Sequence, residues 1–175
     1  MLDKLELLIT RNNINKEILE KNIYDTLLFT IFEIVCLMMK DDIVKKNILS
    51  KFHASKDYLN LVKKIVFEYT GCRISDTESE IMEEWFIAYF RKNNIRKKYD
   101  IVVRKKLILE QHNRCALCKK EIELSDSHLD HIIPWDFVGD ELENNLQILC
   151  PNCNERKCRR VDFQLKMLII NKENA

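Results

Sequence analysis

The chain has 175 residues, 46% of them hydrophobic, and a formal net charge of +1. That length holds one ordinary domain or two small ones, the hydrophobic content excludes wholesale disorder, and the balanced charge names no partner. Two glycines and two prolines are too few turn-formers for an all-β protein, so a mostly α fold is expected.

Residues 1–98 read as a helical domain. The opening "MLDKLELLIT" lacks a charged leader followed by an apolar core and a cleavage site, which predicts a cytoplasmic protein. The apolar run Leu27–Met39, interrupted by Thr30 and Glu33, is too short to span a bilayer and reads as a buried helix, so no membrane partner is expected. In "SKDYLNLVKKIVFEYTG", Ser55 is the predicted N-cap and Gly71 the predicted stop. Tyr58, Val62, Ile65, Val66 and Tyr69 then share a face. "SDTESEIMEEWFIAYFRK" opens with Ser75 and Glu78 in capping-box register. Ile81, Trp85 and Tyr89, beside Met82, Phe86 and Phe90, form an aromatic stripe that reads as core.

A boundary is expected near 98–101, with a second domain over 99–175. The run "RKNNIRKKYDIVVRKK" (91–106) crosses it with eight Lys or Arg against Asp100. Such a run either meets a phosphate backbone, through residues such as Lys105 and Lys106, or is a solvated helix face. A short helix over Ile101–Gln111 leads to strand-like pieces with turn signals at Ser125-Asp126 and Gly139-Asp140.

Seven cysteines in a chain read as cytoplasmic favour metal over disulfides. Cys115 and Cys118 are spaced C-x2-C, and Cys150 and Cys153 repeat the spacing after the segment 119–149. One tight turn supplies two corners of a tetrahedron, and two such turns close a structural Zn2+ site. Four thiolates leave no position open for water, so any chemistry belongs to other residues. Cys36 and Cys72 read as core thiols, Cys158 as helix packing, His53 as a surface position, His112 as an imidazole suited to the C-terminus of the helix before the first knuckle, and His128 as a surface strand position or a residue lining the cleft.

Between and after the knuckles stand "LDHIIPW" and "ENNLQILCPNCNERK". With "CALC" before them, over about residues 101–160, they resemble the HNH endonuclease family in the order of their motifs. The resemblance implies a small α+β domain, two strands and a helix around one catalytic metal, following a helical domain in a mostly α chain. It makes His131 the general base, Asp130 and Asn154 the ligands of a catalytic divalent ion, and Asn145 the residue that fixes the loop orienting the base. Lys157 is placed against a neighbouring phosphate, with Arg156, Arg159 and Arg160 along the backbone. Oxygen ligands favour Mg2+ or Mn2+. The implied substrate is DNA, double-stranded, with restriction or anti-phage defence as the setting. Residues 1–98 are expected to dock a protein partner, a second copy or DNA. The competing reading is a non-catalytic zinc-ribbon-like binding or adaptor module.

Overall fold

The computed structural model describes residues 2–163, with Leu165 and Met167. Its elements, in order, are α1 (Leu2–Arg11), α2 (Lys16–Met38), α3 (Asp42–Ala54), α4 (Tyr58–Thr70), α5 (Asp76–Arg91), α6 (Ile101–Glu110), β1 (His128–His131), α7 (Trp135–Val138), β2 (Leu146–Leu149) and α8 (Pro151–Lys157). The chain is thus mostly helical, with one small region that carries both strands. No helix among the described residues is long and apolar enough to cross a membrane. Two compact units form: a helical unit of residues 27–97 and 133–145, and a knuckle unit of the chain up to residue 26, residues 98–132 and residue 146 onward.

In the helical unit, local signals set the helix ends. Ser75 and Glu78 make both bonds of a capping box, Ser75 N–H to Glu78 Oε2 at 2.6 Å and Glu78 N–H to Ser75 Oγ at 3.3 Å. Gly71 ends α4 in the left-handed region at φ 71°. Ser55 is not the N-cap of α4. It closes α3, and the cap is Asp57, whose carboxylate takes the Asn60 N–H at 3.1 Å. Phe32, Val35, Ile48, Val62, Ile65, Val66, Met82 and Phe86 are fully buried. The Leu27–Met39 run is buried along one stripe only: Leu28, Phe29, Phe32, Val35, Cys36 and Met39 face inward, while Leu27, Leu37 and Met38 are exposed.

The segment 133–145, which joins β1 to β2 along the chain, packs within this same unit. The Phe137 ring stands edge-on to Phe29 at 5.3 Å between centroids. Asp140 Oδ2 accepts the Trp135 indole N–H and the Lys97 backbone N–H, each at 2.9 Å. The Lys92 ammonium donates to the Asp136 carbonyl and lies 4.5 Å from the Tyr89 ring centroid. The Arg96 guanidinium lies 5.1 Å from the Trp135 ring centroid. Part of the basic run 91–106 is therefore used to hold this segment.

Gly139 sits here at φ 60° and ψ −139°, a region reserved for glycine. A Cβ added there would stand 2.9 Å from Lys92 Cβ. Gly139→Ala is expected to destabilise the protein by roughly 1–3 kcal/mol, the cost of a disallowed backbone conformation. Urea denaturation checks it, and an unchanged midpoint would show the segment is free to move away.

In the knuckle unit, β1 and β2 pair antiparallel, with His128 opposite Leu149, Leu129 opposite Ile148, Asp130 opposite Gln147 and His131 opposite Leu146. The outer edge of β2 is covered. Gln111 brackets Ile148, accepting its N–H at 2.8 Å and donating to its carbonyl at 2.9 Å, and Ala116 N–H bonds the same carbonyl at 3.0 Å. Ile108, Leu117, Ile122, Ile148, Leu149, Phe163 and Met167 make the core around Cys115 and Cys153. Phe163 and Met167 thus join the final stretch to this core. The sequence "VDFQLKMLIINKENA" reads as the start of an amphipathic helix, and past Met167 it falls outside the described residues. Cys158, expected to pack, is exposed at the C-cap of α8.

Candidate functional site

The two C-x2-C turns converge. The sulfurs of Cys115, Cys118, Cys150 and Cys153 all lie within 4.8 Å of one another, and Cys118 Sγ is 3.8 Å from Cys150 Sγ. A tetrahedral ion with bonds of about 2.3 Å sets its sulfurs about 3.8 Å apart, so the cluster fits a metal. Each turn is built locally. In the first, Lys119 takes φ 61° and its N–H bonds Cys115 O at 3.0 Å. In the second, Cys150 caps α8, its sulfur taking the Cys153 N–H at 3.4 Å. Cys150 N–H in turn points at Cys115 Sγ, also at 3.4 Å, which stitches the turns together. Burial pushes the thiols of Cys118 and Cys153 up. Burial acts the same way on Cys115, but N–H groups of Cys118, Cys150 and Leu117 outweigh it and bring that thiol down.

The neighbouring strand carries the Asp130-His131 step. Successive strand residues face opposite ways, so the two side chains meet different surroundings. Asp130 Oδ2 accepts the amide of Gln147, its cross-strand partner, at 2.8 Å. The same oxygen is 2.9 Å from Lys157 Nζ. The His131 ring lies 6.4 Å from the Tyr99 ring, edge-on. Lys157, on α8, is 1% exposed, and its ammonium also donates to the His131 backbone carbonyl at 2.8 Å. That charge is engaged inside the fold.

Asn145 lies just before β2 and is buried. Its amide grips Ile133 at both ends, accepting the N–H at 2.8 Å and donating to the carbonyl at 3.0 Å, and so closes the 133–145 segment. Asn154 is half-buried on α8, one turn before Lys157. Residues three apart are neighbours on a helix surface. Lys105 and Lys106 are exposed on α6, with Lys106 3.7 Å from Glu110. Arg156, Arg159 and Arg160 are exposed at and after the end of α8. Arg156 lies 5.6 Å from the Phe163 ring centroid. Arg160 forms a fork on Asp162 at 3.1 and 2.7 Å, which raises its pKa.

Gln147 and Tyr99 were not singled out by sequence reasoning. The period-2 register of paired strands puts Gln147 opposite Asp130 once the hairpin is known, so that signal was present in "NLQIL". Nothing local pointed to Tyr99.

Lys157 offers a stability test. Lys157→Met leaves the Asp130 carboxylate without its cation in a nearly closed site, and breaking a buried pair from one side costs about 3–5 kcal/mol. A drop in the denaturation midpoint of that order is expected. Lys157→Met with Asp130→Asn together should recover part of it.

No curated protein and no solved structure matches the chain. Residues 115–169, which hold all four knuckle cysteines, the Asp130-His131 step and α8, match the family model of the HNH endonucleases, a family of nucleases.

Proposed function

We propose that the chain is a metal-dependent endonuclease that hydrolyses phosphodiester bonds in double-stranded DNA. The observation that carries this reading is the environment of Asp130 and His131. They share a strand braced by Lys157, on the helix that Cys150 and Cys153 anchor.

The four-sulfur cluster is read as a structural zinc site, since four thiolates satisfy Zn2+ and leave it no reactive position. The second ion is read as Mg2+ or Mn2+ on oxygen donors. Lys157 and Gln147 both converge on Asp130 Oδ2. That leaves Oδ1 as the ligand atom and makes both residues positioning residues. Asn154 is the second ligand, on the face of α8 that carries Lys157. When bound, the ion supplies neutralisation of charge at the scissile phosphate and at the leaving 3′ oxygen.

The chain's own residues do the rest. His131 takes the proton of the attacking water. The Lys157 bond to its carbonyl fixes the strand beneath the ring. Asn145 closes the segment that begins two residues after His131. The exposed Arg156, Arg159, Lys105 and Lys106 position the DNA backbone through phosphate contacts that carry no sequence information. So short a catalytic region has few elements to read base edges. Specificity then falls to residues 1–98 or to a partner or second copy that they dock, as in restriction or defence against foreign DNA.

The test is incubation of the zinc-loaded protein with supercoiled plasmid and either Mg2+ or Mn2+. Nicked or linear product, abolished by EDTA, is expected. Plasmid bound but intact in both metals would favour the non-catalytic binding module.

A further inference from the structure

Beside the hairpin lies a cavity of about 410 Å³ that no step above uses, lined by Tyr99, Arg104, Ser125, Ser127, His128 and Leu129. Its chemistry is set by Arg104. The guanidinium donates through Nη2 alone, to Leu124 O at 3.1 Å, to Ser127 Oγ at 3.0 Å and to the Ser127 carbonyl. Its Nε–H is buried with no acceptor among the described residues. All three acceptors are neutral, and no carboxylate pairs with Arg104 among the described residues. A cation held only by neutral dipoles keeps its full charge available to an anion. A planar guanidinium with spare donors suits a phosphate group above other anions.

Two further walls fit that ligand. His128 is exposed on β1, two residues before Asp130 and therefore on the same face of the strand. Tyr99 joins the cavity to the reacting centre, because its ring is the one that stands edge-on to the His131 imidazole at 6.4 Å.

We infer that this cavity is a binding subsite for a backbone phosphate of the nucleic-acid strand, flanking the phosphate at which His131 acts, with Arg104 as its charged anchor and His128 at its rim. The inference rests on the nuclease reading and adds to it a register. One phosphate is gripped on the Tyr99 side of the imidazole while the neighbouring one meets the attacking water.

The experiment measures binding of a fluorescent 20-base-pair duplex to the full chain carrying His131→Ala, so that affinity is read without cleavage. Arg104→Gln in that background is expected to weaken binding about tenfold and to reduce the slope of log K against log salt by about one. Arg104→Lys keeps the charge and should keep the slope. Because Arg104 also braces Leu124 and Ser127, Arg104→Gln is accompanied by a thermal melt. His128→Glu provides a second arm: it sets a carboxylate at the rim of the cavity, and it should weaken binding at least fivefold with an unchanged melt. Unchanged affinity and slope in folded Arg104→Gln, or in His128→Glu, would overturn the subsite while leaving plasmid cleavage by the unsubstituted chain intact. Failure of the parent to bind the duplex at all, with no plasmid cleavage, would overturn the nuclease reading together with the subsite.

Discussion

His131→Ala should lower plasmid cleavage by roughly 100- to 10,000-fold, the usual worth of a positioned general base. The substitution is well suited to isolate chemistry from folding. The His131 backbone holds β1 by its ladder bonds to β2 and by the carbonyl that accepts from Lys157, and alanine keeps all of these. The imidazole itself is half-buried against Tyr99. The melting curve and metal content should therefore match the unsubstituted protein. Cleavage at the original rate would remove His131 from the chemistry and with it the proposed mechanism. A parallel fall in stability would mean instead that the ring is a packing element.

The second large effect concerns the knuckles. Cys153→Ser should strip the four-sulfur site and unfold the knuckle unit. Cys153 is 3% exposed and Cys115 is fully buried, both inside the core that also holds Ile148 and Leu149. Structural zinc in small domains contributes on the order of 10–16 kcal/mol at neutral pH, more than so short a segment gains from its own apolar contacts. Loss of one zinc equivalent by mass spectrometry, with loss of the Tyr99 signal of the folded state, is the expected result, while Trp85 and Trp135 belong to the helical unit. The site also predicts a pH response. Burial holds protons on Cys118 and Cys153 in the metal-free frame, so binding must expel them. Affinity for zinc should fall as the pH drops, followed with a chromophoric chelator. A Cys153→Ser protein that keeps its zinc and its melting curve would show that the cluster does not staple the fold.

These outcomes also separate what short-range pattern could convey from what it could not. The C-x2-C spacing, the capping box at Ser75 and Glu78 and the glycine stop at Gly71 all depend on residues within one or two turns of each other. They are legible for that reason. The α4 cap was misplaced by two residues, because Ser55 and Asp57 are both good caps and the choice turns on where α3 ends. Lys157 looked like a surface cation for the same reason that any lysine after a knuckle would. Its burial depends on Asp130, Gln147 and the His131 carbonyl, which the chain reaches only after the hairpin closes.

Residue order alone thus determined that two thiol pairs could close one site around the segment 119–149, since ligand spacing is a property of neighbouring residues, while the nuclease reading came from the resemblance of that region to the HNH family. Only the tertiary structure decided that the segment between the strands packs with the helices of residues 27–97. It also decided that Asp130 offers one oxygen to Lys157 and Gln147, and that Arg104 lines a cavity with no paired carboxylate among the described residues. The reason is physical. These features join residues far apart in the chain, and what selects them is burial of rings such as Phe137 and satisfaction of buried polar atoms, neither of which leaves a periodic mark on the sequence.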